Sequence, residues 1–225
     1  MMPGVVEACF SVNIYTALRL FGMTESLGTV VMSPDDESLG RICNQNPRAR
    51  ADELRSLGVS TGGDFVEKCS QFNREIRGAS RVRIWSSGVP YEVMGTLYVA
   101  SIVRSDVPLT LIQIHDEDLF MPFGDLNGRA MSLALERGRH IDVSNAKGEW
   151  SRLVAENESL RIVRDAVPTS CGVDSFDDVV RLVSEKYGGE CREFIGSMTS
   201  DHCSDATGGP VNPDFFIWRM ERLHL

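Results

Sequence analysis

The pattern of apolar and polar residues predicts a strand, a helix and a second strand in the middle of the chain. Residues 81–85 form a short apolar strand, and Pro90 then suits the first position of a helix. The apolar residues between positions 93 and 103 cover too broad a face for a helix with a solvated side, so we expect this helix to lie against a sheet. Residues 109–114 supply the second strand. Strand, helix and strand at this spacing indicate one right-handed crossover unit of a parallel sheet.

A second unit of the same kind precedes the first. Residues 5–10 are apolar enough for a strand that is buried on both faces. Residues 11–13 provide a turn and the cap of a helix that Gly22 ends, and residues 29–32 form the next strand. Two crossover units predict an α/β fold: a Rossmann-like N-terminal part, residues 1–122, with a parallel sheet of about four strands.

Helical periodicity describes most of the remaining chain. Asn46 and Pro47 begin a helix that ends before Gly58, and another helix follows Asp64. Beyond residue 122 the apolar spacing predicts helices at 130–137, 149–156, 174–187 (with Asp174 as the cap) and 213–223 (opened by Asn212 and Pro213). The polar, glycine-rich residues 199–210 indicate a loop. We therefore predict that residues 123–225 form a mainly helical C-terminal domain.

Composition narrows the class of protein. The net charge is −9, and the parts before and after residue 122 are both mildly acidic, which argues against a nucleic-acid partner. The first residues lack the basic and apolar runs of a secretory signal, and no stretch approaches the roughly 18 apolar residues of a membrane span. Six cysteines without a CxxC pair are typical of reduced, mostly buried thiols. We therefore expect a cytoplasmic protein with no membrane partner.

Polar residues follow the predicted strands at the positions where parallel sheets bind ligands. In such sheets ligands occupy the crevice outside the carboxyl ends of the strands. There Arg48 suits an anionic group, and Glu92 suits the role of a base. The competing interpretation is that the aspartates and Glu92 only cap helices and solvate turns. The candidate ligand-binding residues are Ser11, Asn13, Asp35, Asp36, Arg48, Ser86, Glu92 and His115.

No sequence motif names a cofactor or a catalytic group. Neither GxGxxG nor GxxxxGK[ST] occurs, which argues against a standard dinucleotide or P-loop site. The run Asp201-His202-Cys203 contains residue types that bind zinc, but its spacing matches no structural zinc pair, so we predict no metal site. No motif ties a histidine to a cysteine, which leaves the catalytic residues unassigned. The residues expected to anchor the core are Trp85, Trp150 and Trp218.

Several short motifs follow one another along the chain. An Asp-Asp-x-Ser-x-Gly segment begins at Asp35, and Arg48 lies in the next helix. A strand ending in Arg-Ile-Trp is followed by a helix that Tyr-Glu opens, and Trp150 leads to a Leu-Arg-Ile-Val run. An acidic helix start at Asp174 and a terminal Phe-Ile-Trp-Arg segment complete the set. In this order the motifs resemble the bacterial family called, in words, domain of unknown function eighteen thirty-five, with its usual C-terminal companion, domain of unknown function thirty-six fifty-eight.

The resemblance covers nearly the whole chain and implies a two-part layout, but it brings no established activity. The family tends to show a Gly-Asp-Ser-like turn after the first strand. At residues 10–13 this chain instead has Phe-Ser-Val-Asn. If that turn binds a ligand in the family, the difference falls on the same edge of the sheet as the candidate site.

These observations favour one function and leave one alternative. We expect a cytosolic protein that binds a small molecule or nucleotide-like ligand at the carboxyl ends of the strands. The alternative is a non-catalytic regulatory or protein-interaction module that assembles through its C-terminal helices. The last helix carries apolar side chains on nearly every side, so we expect the connector at 119–123 or the second subunit of a homodimer to cover them, and we favour the dimer.

Overall fold

The computed structural model describes residues 4–21, 27–114, 128–188 and 190–225, and the chain divides into two compact units. Unit 1 comprises Met1–Asp36, Glu67–Gly88 and Gly95–Ser151. Unit 2 comprises Glu37–Val66, Val89–Met94 and Arg152–Leu225. Both units are discontinuous in sequence, which differs from a single cut after residue 122. That cut itself lies outside the described residues.

A mostly parallel sheet forms the centre of unit 1. Its strand order is β2-β1-β3-β4-β5, in which the first four strands are parallel and β5 runs antiparallel to β4. The parallel pairing of β3 with β4 confirms the predicted crossover unit, and the pairing of β1 with β2 confirms the other. The strands are β1 Val5–Cys9, β2 Thr29–Met32, β3 Arg81–Ser86, β4 Leu109–Gln113 and β5 Arg139–His140.

Helices account for most of the remaining described residues. Most follow the predicted positions, since caps such as Asn46 and Asn212 and the prolines after them mark the starts. The predicted stop at Gly22 lies outside the described residues. Nine helices occur in the described part of the chain: α1 Val12–Phe21, α2 Pro47–Ser56, α3 Phe65–Gly78, α4 Pro90–Ile102, α5 Gly128–Glu136, α6 Val143–Glu156, α7 Asp177–Tyr187, α8 Arg192–Thr207 and α9 Pro213–Arg222.

The sheet of unit 1 is buried on both faces. On one face Cys9 and Trp85 pack with apolar residues of α1 and α5, and Trp85 is fully buried. On the other face Phe10 packs against Phe72 of α3, with 6.3 Å between ring centroids. Burial on two faces explains why these strands read as nearly continuous apolar runs rather than alternating ones.

Unit 2 contains a two-stranded antiparallel hairpin that the helical periodicity did not predict. Its strands are β6 Leu160–Arg164 and β7 Val167–Cys171. The turn residues Asp165 and Ala166 both have positive φ, 51° and 62°. Tight hairpins favour this conformation, for which Asn-Gly or Asp-Gly is the usual signal. Because the second turn residue is alanine, the sequence lacks that signal.

The predicted loop at 199–210 is wrong for most of its length, because α8 runs to Thr207. Thr199, Cys203 and Thr207 recur every four residues and are buried on one face. The two threonine hydroxyl groups bond within the helix: Thr199 Oγ1 donates to the Ile195 carbonyl at 2.8 Å, and Thr207 Oγ1 donates to the Cys203 carbonyl at 2.9 Å. Because these hydroxyl groups already donate to carbonyls of their own helix, this polar face can be buried like an apolar one.

Two smaller predictions about the C-terminal part also need correction. The helix predicted from Asp174 begins at Asp177, and its N-cap is Phe176, which makes no side-chain capping bond. Trp218 is only half-buried, unlike Trp85 and Trp150, so it is not a full core anchor.

Part of the apolar surface that motivated the predicted homodimer is covered within the chain. Phe215, Phe216 and Met220 of α9 are each no more than 2% exposed, because unit 2 itself covers them. Part of this cover is α8, which the sequence had suggested to be a polar loop. Leu182 of α7 and Phe194 of α8 remain exposed, so the homodimer and assembly through the C-terminal helices both stay predictions. The connector at 119–123, which was the other predicted cover of the last helix, lies outside the described residues.

Candidate functional site

The strand order of unit 1 contains one point where the direction of winding reverses. From β1 the chain crosses to β2 on one side, and it then returns to form β3 on the other side of β1. At such a topological switch point the loops after the two strands lead away from each other and leave a crevice outside their carboxyl ends. The candidate site is therefore the carboxyl edge at β1 and β3, with the loop after β2 beside it.

Ser11 occupies the turn between β1 and α1. Its Oγ accepts a hydrogen bond from the Ile14 backbone N–H at 3.3 Å, and its carbonyl accepts from the Tyr15 N–H at 3.0 Å. Ser11 thus caps α1, as the competing interpretation expects, while its hydroxyl hydrogen can still be donated. Asn13 lies exposed in the first turn of α1. Both residues border the crevice by their place in the fold.

The segment after β2 is fixed beside the end of β1. The Ser33 backbone N–H donates to the Cys9 carbonyl at 3.0 Å, which extends the ladder between the strands. Ser33 Oγ then accepts from the Asp35 N–H at 3.2 Å and turns the chain. Asp35 and Asp36 follow, both half-buried. This turn holds two carboxylates at the same edge of the sheet as Ser11.

Ser86 ends β3 and is 3% exposed. Its Oγ accepts from the Gly88 N–H at 3.0 Å, and its carbonyl accepts from the Ile114 N–H at 2.9 Å. Gly88 has φ of 93°, which glycine adopts without the clash that a Cβ would cause. Since Ala8 pairs with Ile84, continuing this register by two residues brings Ser86 beside Phe10.

Five of the eight predicted residues therefore share one edge of unit 1. Arg48 and Glu92 belong to unit 2. Arg48 is exposed in the first turn of α2, while Glu92 is 1% exposed in the first turn of α4. His115 lies outside the described residues. The residues at the shared edge are Ser11, Asn13, Asp35, Asp36 and Ser86.

Sequence reasoning missed a buried charged cluster in the centre of the sheet. Glu7 of β1 is fully buried and lies directly opposite Arg83 of β3. Its carboxylate accepts from the Gly28 N–H at 3.0 Å, from Trp85 Nε1 at 2.8 Å and from the Arg83 guanidinium. A glutamate inside an apolar strand was the available signal. Three donors on one carboxylate make a structural role its best explanation.

Unit 2 holds a second buried cluster around Arg161 of β6. Its guanidinium donates to the carbonyls of Glu37 and Glu158, both at 2.7 Å, and to the carbonyl of Gly40. Arg50 of α2 donates to two further carbonyls of the same segment, those of Leu39 and Arg41, at 3.0 and 2.9 Å. Both arginines are no more than 1% exposed. They hold residues 37–41, the stretch that follows Asp36.

The cysteines form no metal site in the described parts of the chain. All six thiols are free; Cys43 and Cys191 are exposed, and Cys9, Cys69 and Cys203 are buried. Burial raises the pKa of the Cys203 thiol to about 11. No group of three or more histidine, cysteine or acidic side chains is placed to hold a metal ion among the described residues. Within that same set, none of the helices has the length and apolar character needed to cross a membrane.

Comparison of the chain with protein-family models, with curated proteins and with solved structures gives no match. The resemblance to domain of unknown function eighteen thirty-five and its companion therefore stays a prediction. The candidate site rests on the geometry of unit 1 alone.

Proposed function

We propose that unit 1 binds a small molecule or nucleotide-like ligand in the crevice at the carboxyl ends of β1 and β3. The observation that carries this proposal is the strand order β2-β1-β3-β4, which puts a topological switch point between β1 and β3. The polar groups at this edge are a second support.

The chemistry of the edge favours a ligand rich in hydroxyl groups. Asp35 and Asp36 follow β2, the neighbour of β1, and ionised carboxylates only accept hydrogen bonds. In nucleotide-binding sheets a carboxylate near this position receives the hydroxyl groups of a ribose. Ser11 adds a hydroxyl at the start of α1, where the helix dipole favours an electronegative ligand atom. A nucleoside or another polyol fits these groups better than a polyanion would, since two carboxylates would repel it.

A thermal-shift screen against nucleosides, nucleotides and sugars tests the proposal. A ligand at 100 times its Kd should stabilise the protein by about 2.7 kcal/mol, which corresponds to a rise in Tm of roughly 5–10 °C for a chain of this size. Asp36→Asn should reduce the shift. The matched control is Asp106→Asn, which alters a carboxylate with 75% side-chain exposure just before β4, at the opposite edge of the sheet.

Two results would contradict the proposal. One is the absence of any ligand that raises Tm. The other is a ligand whose effect survives Asp36→Asn and is lost in Asp106→Asn, since that ligand would bind at the amino edge.

A further inference from the structure

Among the described residues, no strand pairs with the backbone hydrogen-bonding groups on the outer edge of β2. β2 is the terminal strand of its sheet. Ser33 N–H donates to the Cys9 carbonyl, and Cys9 Sγ lies 3.4 Å from the Val31 carbonyl oxygen, so the backbone of residues 31 and 33 faces β1. Alternation along the strand then directs the N–H and C=O groups of Val30 and Met32 outward.

This edge also lacks the features that normally prevent strand pairing. Thr29–Met32 contains no charged residue and no proline, and its sequence, Thr-Val-Val-Met, has high β-propensity. The opposite edge of the sheet is shorter and carries a charged residue. There β5 has only two residues, Arg139 and His140, and both are exposed. The charge of Arg139 disfavours strand pairing at the β5 edge, whereas β2 has no charged residue at its own edge.

A groove follows the open edge, which we call the β2 groove. It has a volume of about 230 Å³ and is lined by Tyr15, Val30, Val31, Met32, Lys68 and Phe72. Tyr15 packs with Val30 and Met32 on one face of the sheet, whereas Phe72 belongs to α3 on the other face. A strand points successive side chains to opposite faces. An added strand would therefore use both walls of the β2 groove, which a compact small molecule could not do.

The charges beside the groove indicate the chemistry of its occupant. Lys68 is exposed on α3, and the Arg19 guanidinium of α1 lies 6.0 Å from the centre of the Tyr15 ring. Both walls thus carry a cation, in a chain whose net charge is −9. A second copy of β2 would bring no acidic residue to meet them, because Thr29–Met32 contains none. The complementary ligand is an acidic one.

We propose that the outer edge of β2 docks an extended peptide segment of a partner protein. The segment pairs with the backbone of Val30 and Met32, points successive side chains toward Tyr15 on one face and Phe72 on the other, and carries an acidic residue toward Lys68 or Arg19. Strand addition of this kind obtains affinity from main-chain bonds and specificity from the flanking pockets. This peptide site is independent of the crevice at the carboxyl ends.

The test uses the full chain and a defined peptide, acetyl-Glu-Val-Thr-Val-Thr-Glu-amide, followed by amide NMR spectra. Added at up to about 1 mM, the peptide should shift the amide signals of Val30 and Met32 and saturate. The same peptide N-methylated at its valines should lose binding. Val30→Pro removes one outward N–H and should weaken binding about three- to tenfold, whereas Val30→Thr keeps that group and should leave binding unchanged.

A charge swap tests the acidic preference. Lys68→Glu should weaken the glutamate peptide about two- to fivefold and should favour the same peptide with lysine in place of glutamate. No shift at β2 with any of these peptides would overturn the proposal, as would equal binding to Val30→Pro and Val30→Thr. Sedimentation gives a further outcome: a dimer that Val30→Pro dissociates would show that the occupant is a second copy, which also overturns it.

Discussion

Replacing Arg161 with methionine should strongly destabilise unit 2. The guanidinium is fully buried and donates to three backbone carbonyls, those of Glu37, Gly40 and Glu158. Methionine fills a similar volume but donates no hydrogen bond, so the three carbonyls lose their partner. Each buried group left unsatisfied costs about 1–3 kcal/mol, although such costs are not additive.

The buried carboxylate beside this cluster keeps its cation in the variant, because Glu37 is 1% exposed and its Oε2 lies 3.8 Å from Arg50 Nε. The loss therefore comes from the three carbonyls, at about 1–3 kcal/mol for each one left unsatisfied. We therefore expect Arg161→Met to lower the free energy of unfolding by about 3–5 kcal/mol, a large fraction of the roughly 5–15 kcal/mol that keeps a domain folded.

Urea denaturation followed by far-UV circular dichroism measures this change. The matched control is Arg164→Met, because Arg164 lies on the same strand but is exposed, and it should cost no more than about 0.5 kcal/mol. Arg161→Lys should fall between the two, since an ammonium group cannot reproduce the planar fork of donors. If Arg161→Met and Arg164→Met lower stability equally, the carbonyls of residues 37–41 do not depend on the buried guanidinium.

Three further outcomes are expected. Ala166→Gly should stabilise the protein by about 1 kcal/mol in urea titrations, because Ala166 has φ of 62°, which glycine adopts without strain; a loss of stability would contradict this. The Arg219 guanidinium, 2.6 Å from both oxygens of Asp177, holds the pKa of that carboxyl below its usual value. The ion pair therefore contributes to stability above the unfolded pKa of about 3.9, and this contribution is lost as pH falls through the folded pKa. In Asp177→Asn the free energy of unfolding should decrease less over this acidic range than in the wild type. A thiol reagent at pH 8 should quickly modify the two exposed cysteines of the native protein but not Cys203, whose pKa burial raises to about 11; fast labelling of Cys203 would refute its burial.

Part of the candidate site could be read from sequence and part could not. Parallel crossover units place Ser11, Asp35 and Ser86 at or just after the ends of their strands, and parallel strands end at a common edge. The strand order, which picks out β1 and β3 as the switch point, depends on which side of β1 each later strand joins. No local pattern in the sequence carries that choice. Arg48 and Glu92 belong to unit 2, which sequence spacing did not separate from the sheet.

The sequence by itself determined the elements whose causes are local. Apolar content predicted the four parallel strands, and the caps Asn46 and Asn212 with the prolines after them predicted where α2 and α9 begin. Each of these signals lies within a few residues of the structure that it specifies. Capping, proline geometry and apolar periodicity act over one or two turns, so they can be read without knowing the fold.

The tertiary structure decided what depends on distant partners. Helix α8 forms although it contains many polar residues. Its buried threonines donate hydrogen bonds to carbonyls of the same helix, so their burial leaves no hydroxyl group without a partner. The hairpin of β6 and β7 forms around Asp165 and Ala166, which is not a standard turn pair, because β6 is anchored through Arg161 to residues far away in the chain. Glu7 can be buried only because Arg83 and Trp85 are brought beside it. Burying a charge is unfavourable until its partners are in place, and only the folded chain supplies them.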